Sequence, residues 1–383
     1  MLRDEAAIIG IGNTDFRSRA HRTELRLAVE AAVAACADAG IEPSEIDGMC
    51  TVSTDEVGEN NLAASLGLEN VPFFAEVPFG GGGTCGTVAL AAAAIGAGMA
   101  TTILCWRSLN GLSGQRFGQP TPPIPRFMRE FQFLIPVGIS TPAQIAALAA
   151  RRHMHQYGTT WQQFAAVALN SRRYAATNPN ARYYERPLTM EEYEQGRMVA
   201  DPLRIYDCCL ESDGAAALIV ARADRARDGL NPPAYIMGVA QGMGSRTEVM
   251  PSFNREDITV CEEVRACADE LWRMAGIRPG DVDVAQVYDH FSPLVIMALE
   301  DYGFVEKGEG GAWVESGAPG PDGALPTNTS GGQMGEAYIN GMNLIVEAVR
   351  QIRGTSSNQV DGVEISFASS GNGVPTSALV LRK

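Results

Sequence analysis

The 383-residue sequence predicts an α/β protein assembled from two copies of one βαβ-type half. Three observations carry that prediction. A hydrophobic strand, AAIIGIG, leads to a helix from about Glu24 to Ala39 and then to a strand near Met49 to Ser53, the alternation that builds a mostly parallel sheet. The pattern then recurs. ELRLAVEAAVAACADAGIEPSEIDGM ends in Ala39, Gly40 and Ile41, with Pro43, Ile46 and Asp47 following; CEEVRACADELWRMAGIRPGDVDVAQV ends in Ala275, Gly276 and Ile277, with Pro279, Val282 and Asp283 at the same offsets. Finally, each half carries a glycine-rich loop that opens an apolar helix, FGGGGTCGTVALAAAA near residue 80 and NTSGGQMGEAYINGMNLIVEAV near residue 330.

Each element has a local reason. Gly40 and Gly276 supply left-handed C-terminal caps, and the proline beyond each blocks continuation of the helix. The apolar helices feed hydrophobic strands, TTILC in one half and GVEISFAS in the other. The duplication therefore divides the chain into residues 1–228 and 229–383. A long insertion from about Ser108 to Asp201 interrupts the first half, with PTPPIPRF followed by the helical stretches AQIAALAARRHMHQYG and QQFAAVALNSRRYAATNP. Insertions of this size over a sheet serve as lids or substrate loops more often than as linkers. DCCLESDGAAALIVAR then returns the chain to the first core as a closing strand.

Length and composition set the outer limits. A chain of this size exceeds what one hydrophobic core usually holds, which agrees with two halves. A formal net charge of −15 excludes a nucleic-acid partner, which needs a basic footprint, but leaves room for a small anionic ligand held by local arginines. The eight cysteines form no CxxC pair and mostly sit in apolar patterns, as reduced core thiols of a cytoplasmic protein do. The N-terminal MLRDEAAIIGIG reads as a first strand and not as a secretion signal. The uncharged stretch from Gly86 to Cys105 is long enough to cross a membrane, but its alanines and the break at Gly96 and Gly98 favour a buried helix followed by a buried strand, so no membrane span is expected.

Two βαβ halves, each with a glycine loop feeding a buried helix, resemble the thiolase superfamily, and over nearly the whole chain its sterol-carrier and lipid-transfer branch. DPLRIYDCCLESDGAAALIV is similar to that family's signature closing the first half, and NTSGGQMGEAYING to its asparagine-x-serine-glycine-glycine run before glycine-histidine-proline. The resemblance implies a thiolase-like fold layered α-β-α-β-α with a loop or lid insertion. It also locates the catalytic places. The nucleophilic cysteine's place falls on Gly83, with Cys85 two residues beyond; the histidine of glycine-histidine-proline falls on Tyr338; the first residue of the asparagine or histidine motif is Tyr288, in YDHF; and the C-terminal cysteine's place is Ser369.

Acyl transfer through a covalent cysteine loses both its nucleophile and its base by these replacements. Cys85 reads first as a small buried thiol at a helix start, although a helix N-terminus would lower the pKa of an exposed one. Two tyrosines beside a thioester suit retro-aldol cleavage, in which a β-hydroxyl loses its proton and the departing enolate is stabilised or protonated. Tyr338, at the start of an expected helix, is the expected base. Asp289 and His290 could support the pair only if a loop geometry gathers residues that a strand would splay.

Other aldolase chemistries lack their residues. The only lysines are Lys307, in an EKGEG loop, and the terminal Lys383, so a Schiff base has no evident donor. The four histidines, 21, 153, 155 and 290, form no metal-ligand cluster in sequence.

The tyrosine-for-histidine pattern resembles the steroid side-chain-cleaving aldolases of actinobacteria. That resemblance implies cleavage of a 17-hydroxy steroid acyl-CoA into a 17-keto steroid and propionyl-CoA. It further implies a homodimer flanked by a small zinc-ribbon and OB-fold subunit in a heterotetramer, with zinc in the partner alone and coenzyme A entering only as part of the substrate. The arginines of RRH and SRRY are candidates for coenzyme A phosphates, a role to weigh against ordinary helix-surface charge. Two competing readings are a non-catalytic acyl-CoA or lipid carrier or scaffold, and a Cys85-dependent acyltransferase.

Overall fold

The computed structural model describes residues 2–16, 19–114, 131–226, 229–245, 250, 253–373 and 376–383. The first half supplies β1 (Ala6–Asn13), α1 (Glu24–Ala39), β2 (Gly48–Val52), β3 (Phe73–Val77), α2 (Thr84–Gly96) and β4 (Thr102–Asn110). The insertion contributes α3 (Pro142–Tyr157) and α4 (Trp161–Thr177), and β5 (Asp213–Arg222) closes the half. The second half follows with β6 (Ala234–Gly242), α5 (Glu262–Ala275), β7 (Val284–Gln286), α6 (Ser292–Asp301), α7 (Met342–Arg353), β8 (Ile365–Ser370) and β9 (Thr376–Arg382). The PTPPIPRF segment lies outside the described residues.

The expected repeats are present in detail. Gly40 and Gly276 cap α1 and α5 in the left-handed conformation, at φ 71° and 66°. A one-turn 3₁₀ helix follows each cap, Pro43–Glu45 and Pro279–Asp281. Strand and helix also meet by the same device in both halves. A Cβ on Gly10 or Gly12 would press on the carbonyls of Ala35 or Ala31 of α1 at 2.2 Å, and one on Gly242 would meet the Glu263 carbonyl of α5 at 1.9 Å.

The strands form one hydrogen-bonded order, β3-β2-β4-β5-β1-β6-β9-β8-β7. Contrary to the mostly parallel expectation, only β2–β3, β2–β4 and β7–β8 are parallel among the described strands. The other pairings, β4–β5, β5–β1, β1–β6, β6–β9 and β9–β8, are antiparallel. The two halves meet where β1 pairs with β6 through Ala7–Tyr235 and Ile8–Ala234.

The layering follows from which helices touch which strands. α1 packs on β1, β4 and β5 and α5 on β6 and β9, whereas α2 and α7 contact strands of both halves. These two central helices fill one apolar core with Cys85, Val88, Leu218, Ile236, Ile345, Val349 and Leu379, giving the α-β-α-β-α order. Helix α2 is buried because it offers no polar face. The stretch from Gly86 to Cys105 accordingly divides between α2 and β4, and no helix among the described residues is long and apolar enough to cross a membrane.

Candidate active site

Two tyrosines meet beside the N-terminus of α2. Tyr288 stands two residues beyond β7, its N–H donating to Ser369 Oγ of β8 at 3.0 Å. Tyr338 lies between the short helical turn Gly332–Gly335 and α7, its N–H donating to Ser212 Oγ at 3.0 Å. Their hydroxyl oxygens are 3.0 Å apart, and the rings meet edge-on with centroids separated by 6.4 Å. Leu109 and Leu344, with Cys209 and Leu210, complete an apolar cup around the pair. Tyr288 is 3% and Tyr338 8% exposed.

Contrary to the sequence expectation, Tyr338 does not start a helix. Asn340 and Gly341 both take positive φ, 51° and 85°, and α7 begins only after them. The chain turn they make is what aims the Asn340 side chain back at the site. Its Nδ2 donates to the Tyr338 hydroxyl at 3.1 Å, while its Oδ1 accepts from Arg107 Nε of β4 at 2.8 Å. Arg107 is itself buried and paired with Asp55 at 3.2 Å.

Electrostatics keep the phenols protonated when the site is empty. Burial, the largest cause, pushes both tyrosines above the ordinary phenol range. Arg107 favours the Tyr338 phenolate and the Asn340 amide that of Tyr288, while the Cys209 thiol opposes both.

The other expected residues fall into distinct roles. His290 packs against the Tyr288 ring, centroids 4.9 Å apart, because residues 287–290 have left the strand. Burial holds its imidazole down to about 4, so it is neutral near pH 7. Asp289 faces away from the phenols and accepts from the N–H groups of Gln333 and Met334 at 2.8 and 3.2 Å; burial raises its carboxyl to about 7. Ser369 anchors the Tyr288 backbone. Cys85 is fully buried in the central core, with its thiol directed at the Ala368 carbonyl 3.7 Å away and pushed up to about 12 by burial. A thiol so placed is neither ionised nor reachable.

Residues considered for other chemistries are engaged elsewhere. Lys307 Nζ is held by the Thr259 carbonyl at 2.6 Å and Glu300 at 3.0 Å. His153 is buried between Thr159 and Glu300 at 2.7 and 3.1 Å. Arg172 turns inward, donating to the Arg186 carbonyl and lying 3.5 Å over the Tyr183 ring, so it is not a free phosphate contact. Among the described residues, no group of three or more His, Cys, Asp or Glu is placed to hold a metal ion.

Residues 244–381 match the model of the thiolase C-terminal domain-like family. A steroid side-chain-cleaving aldolase of Thermomonospora curvata is 45% identical over all of this chain and 98% of its own. The chain belongs to the thiolase superfamily. A 17-hydroxy-3-oxo-4-pregnene-20-carboxyl-CoA lyase of Mycobacterium tuberculosis is 44% identical, with both chains covered completely. The solved structure of an Ltp2-ChsH2(DUF35) aldolase superposes with a TM-score of 0.96 at 44% identity, covering 100% of this chain and 98% of that one.

Sequence reasoning missed Asn340, Arg107 and Cys209. The Asn340–Gly341 dipeptide was a turn signal that could have separated Tyr338 from the helix.

Proposed function

We propose that this protein is a lyase that cleaves a β-hydroxyacyl-CoA by retro-aldol chemistry, taking a 17-hydroxy steroid acyl-CoA to a 17-keto steroid and propionyl-CoA. The observation that carries the reading is the 3.0 Å contact between the Tyr288 and Tyr338 hydroxyls in a cup whose thiol, Cys209, is kept protonated by burial. The names borne by the full-length relatives support the substrate class.

The proton inventory closes without a cofactor. Tyr338, protonated at rest, accepts the proton of the β-hydroxyl as it passes its own across the contact to Tyr288; the bond between Cα and Cβ breaks, leaving a ketone, and its electrons pass into the thioester as an enolate. Tyr288 donates its original proton to the enolate carbon. Each phenol ends with one proton, which restores the starting state. The thioester serves as electron sink, and acid–base groups of this type contribute roughly 10² to 10⁴ in rate.

A homodimer flanked by a small zinc-ribbon and OB-fold subunit is part of the same proposal. Its support is the relative whose solved structure pairs an aldolase with a DUF35 chain. The catalytic pair comes wholly from the second half, residues 229–383. Acyl transfer through Cys85 has no support in a thiol buried in the core.

The test is to incubate the protein, alone and with the DUF35-type partner of its host, with a 17-hydroxy steroid acyl-CoA in heavy water. The expected products are a 17-keto steroid and propionyl-CoA carrying one deuterium at Cα. Tight binding of the acyl-CoA with no product under either condition would instead establish the carrier reading.

A further inference from the structure

We propose that Asn340, oriented by Arg107, is a positioning residue that stabilises negative charge developing on the Tyr288–Tyr338 hydroxyl pair, a role that rests on the retro-aldol reading above. Arg107 can only donate, so its Nε fixes which end of the Asn340 amide is the oxygen. The NH₂ end is thereby turned toward Tyr338, at 3.1 Å. Tyr338 oxygen receives one donor from Asn340 and can receive a second from Tyr288.

Three features show that this arrangement is built in. Asn340 holds a left-handed backbone, φ 51°, a conformation that asparagine tolerates better than most side-chain-bearing residues. Its carbonyl is tied down by Thr84 Oγ1 at 2.5 Å, at the first residue of α2. Behind it, Arg107 is held by Asp55, whose carboxylate also accepts from the Ser108 N–H at 2.7 Å. A buried ion pair is costly to assemble, and here it holds the arginine that orients a donor toward the phenol pair.

Groups that bear on Tyr338 include Tyr288 from the loop after β7, Cys209 from the loop before β5, and Arg107 from β4. Arg107 favours its phenolate, and the neighbouring thiol opposes it. Donation from the Asn340 amide adds to the arginine, because a hydrogen bond to the charged form stabilises it. The same amide also favours the Tyr288 phenolate, so it serves both phenols.

The experiment reads the phenol itself, without substrate. A fluorinated, more acidic tyrosine analogue replaces Tyr338 in the full chain, and its ionisation is followed by ¹⁹F NMR in otherwise native protein and in the Asn340→Gly and Asn340→Asp variants. Glycine keeps the positive φ without strain, and aspartate keeps the acceptor for Arg107 while deleting the donor. The midpoint is expected to rise by about one pH unit in Asn340→Gly, a tenfold loss in ionisation constant, and by more in Asn340→Asp. With the natural tyrosine, Asn340→Gly should lower kcat roughly 10- to 100-fold with KM changed by less than about twofold. A midpoint unmoved in both folded variants overturns the proposal. A shifted midpoint in a protein that shows no turnover sustains the positioning role and sinks the retro-aldol reading instead.

Discussion

The Tyr288 hydroxyl occupies the space that a side chain on Gly81 would need: a Cβ there would lie 1.8 Å from the phenolic oxygen. The glycine loop ahead of α2 thus shapes the site by what it lacks. Replacing Gly81 with alanine must displace the Tyr288 ring, and a displacement near 1 Å commonly costs about 100-fold in rate. Gly81→Ala is expected to lose about that much kcat/KM while its far-ultraviolet circular dichroism stays native. Activity within about threefold of the parent would show that the ring position is not critical.

Asp289 gives a pH signature in stability. Its carboxyl ionises at about 7 in the folded protein, against roughly 3.9 in an unfolded chain. Between those values the native state keeps a proton that the unfolded state has released, so the contribution is present below about pH 4 and is lost as pH rises toward 7. Urea unfolding of the parent and of Asp289→Asn, compared from pH 4 to 8, isolates this contribution from the opposing one of His290. The stability of the parent relative to the variant should fall with rising pH, by an amount on the order of a few kcal/mol. A flat difference would mean that Asp289 ionises normally.

His290 should behave as a neutral imidazole throughout the working range. With ¹⁵N-histidine labelling, the resonance lost in His290→Gln is expected to keep neutral-form shifts down to about pH 4. A midpoint near 6.5 would place the ring in water, contrary to its packing on Tyr288.

Cys85→Ala should retain near-parental turnover and lose on the order of 1 kcal/mol of stability, the cost of removing a small buried group. Iodoacetamide should leave Cys85 unmodified in the folded protein, as peptide mass mapping would reveal. An inactive variant or an acyl adduct on this thiol would restore the acyltransferase alternative.

Much of the fold was legible because its signals are local. The caps at Gly40 and Gly276, with a proline three residues on, repeat at identical offsets and mark equivalent helices. The direction of β5 was not legible, since its partner β4 is separated from it by the whole insertion. The tyrosine pair could be located because both residues sit in motifs readable from sequence. The Arg107–Asn340 contact could not, because it joins residues 233 positions apart and neither carries a motif of its own. Likewise, nothing in the sequence around Ser212 or Ser369 announces that each anchors a tyrosine backbone. The helix expected to start at Tyr338 begins instead at Met342, because Asn340 and Gly341 take positive φ values.

The most direct measurement is single-turnover cleavage of a 17-hydroxy steroid acyl-CoA by the parent, Tyr288→Phe and Tyr338→Phe proteins. Removing either hydroxyl breaks the proton circuit, so each variant should lose at least about 100-fold in the chemical step while still binding the thioester. If both phenylalanine variants cleave at near-parental rates, the two phenols are packing residues and the account of the site is wrong.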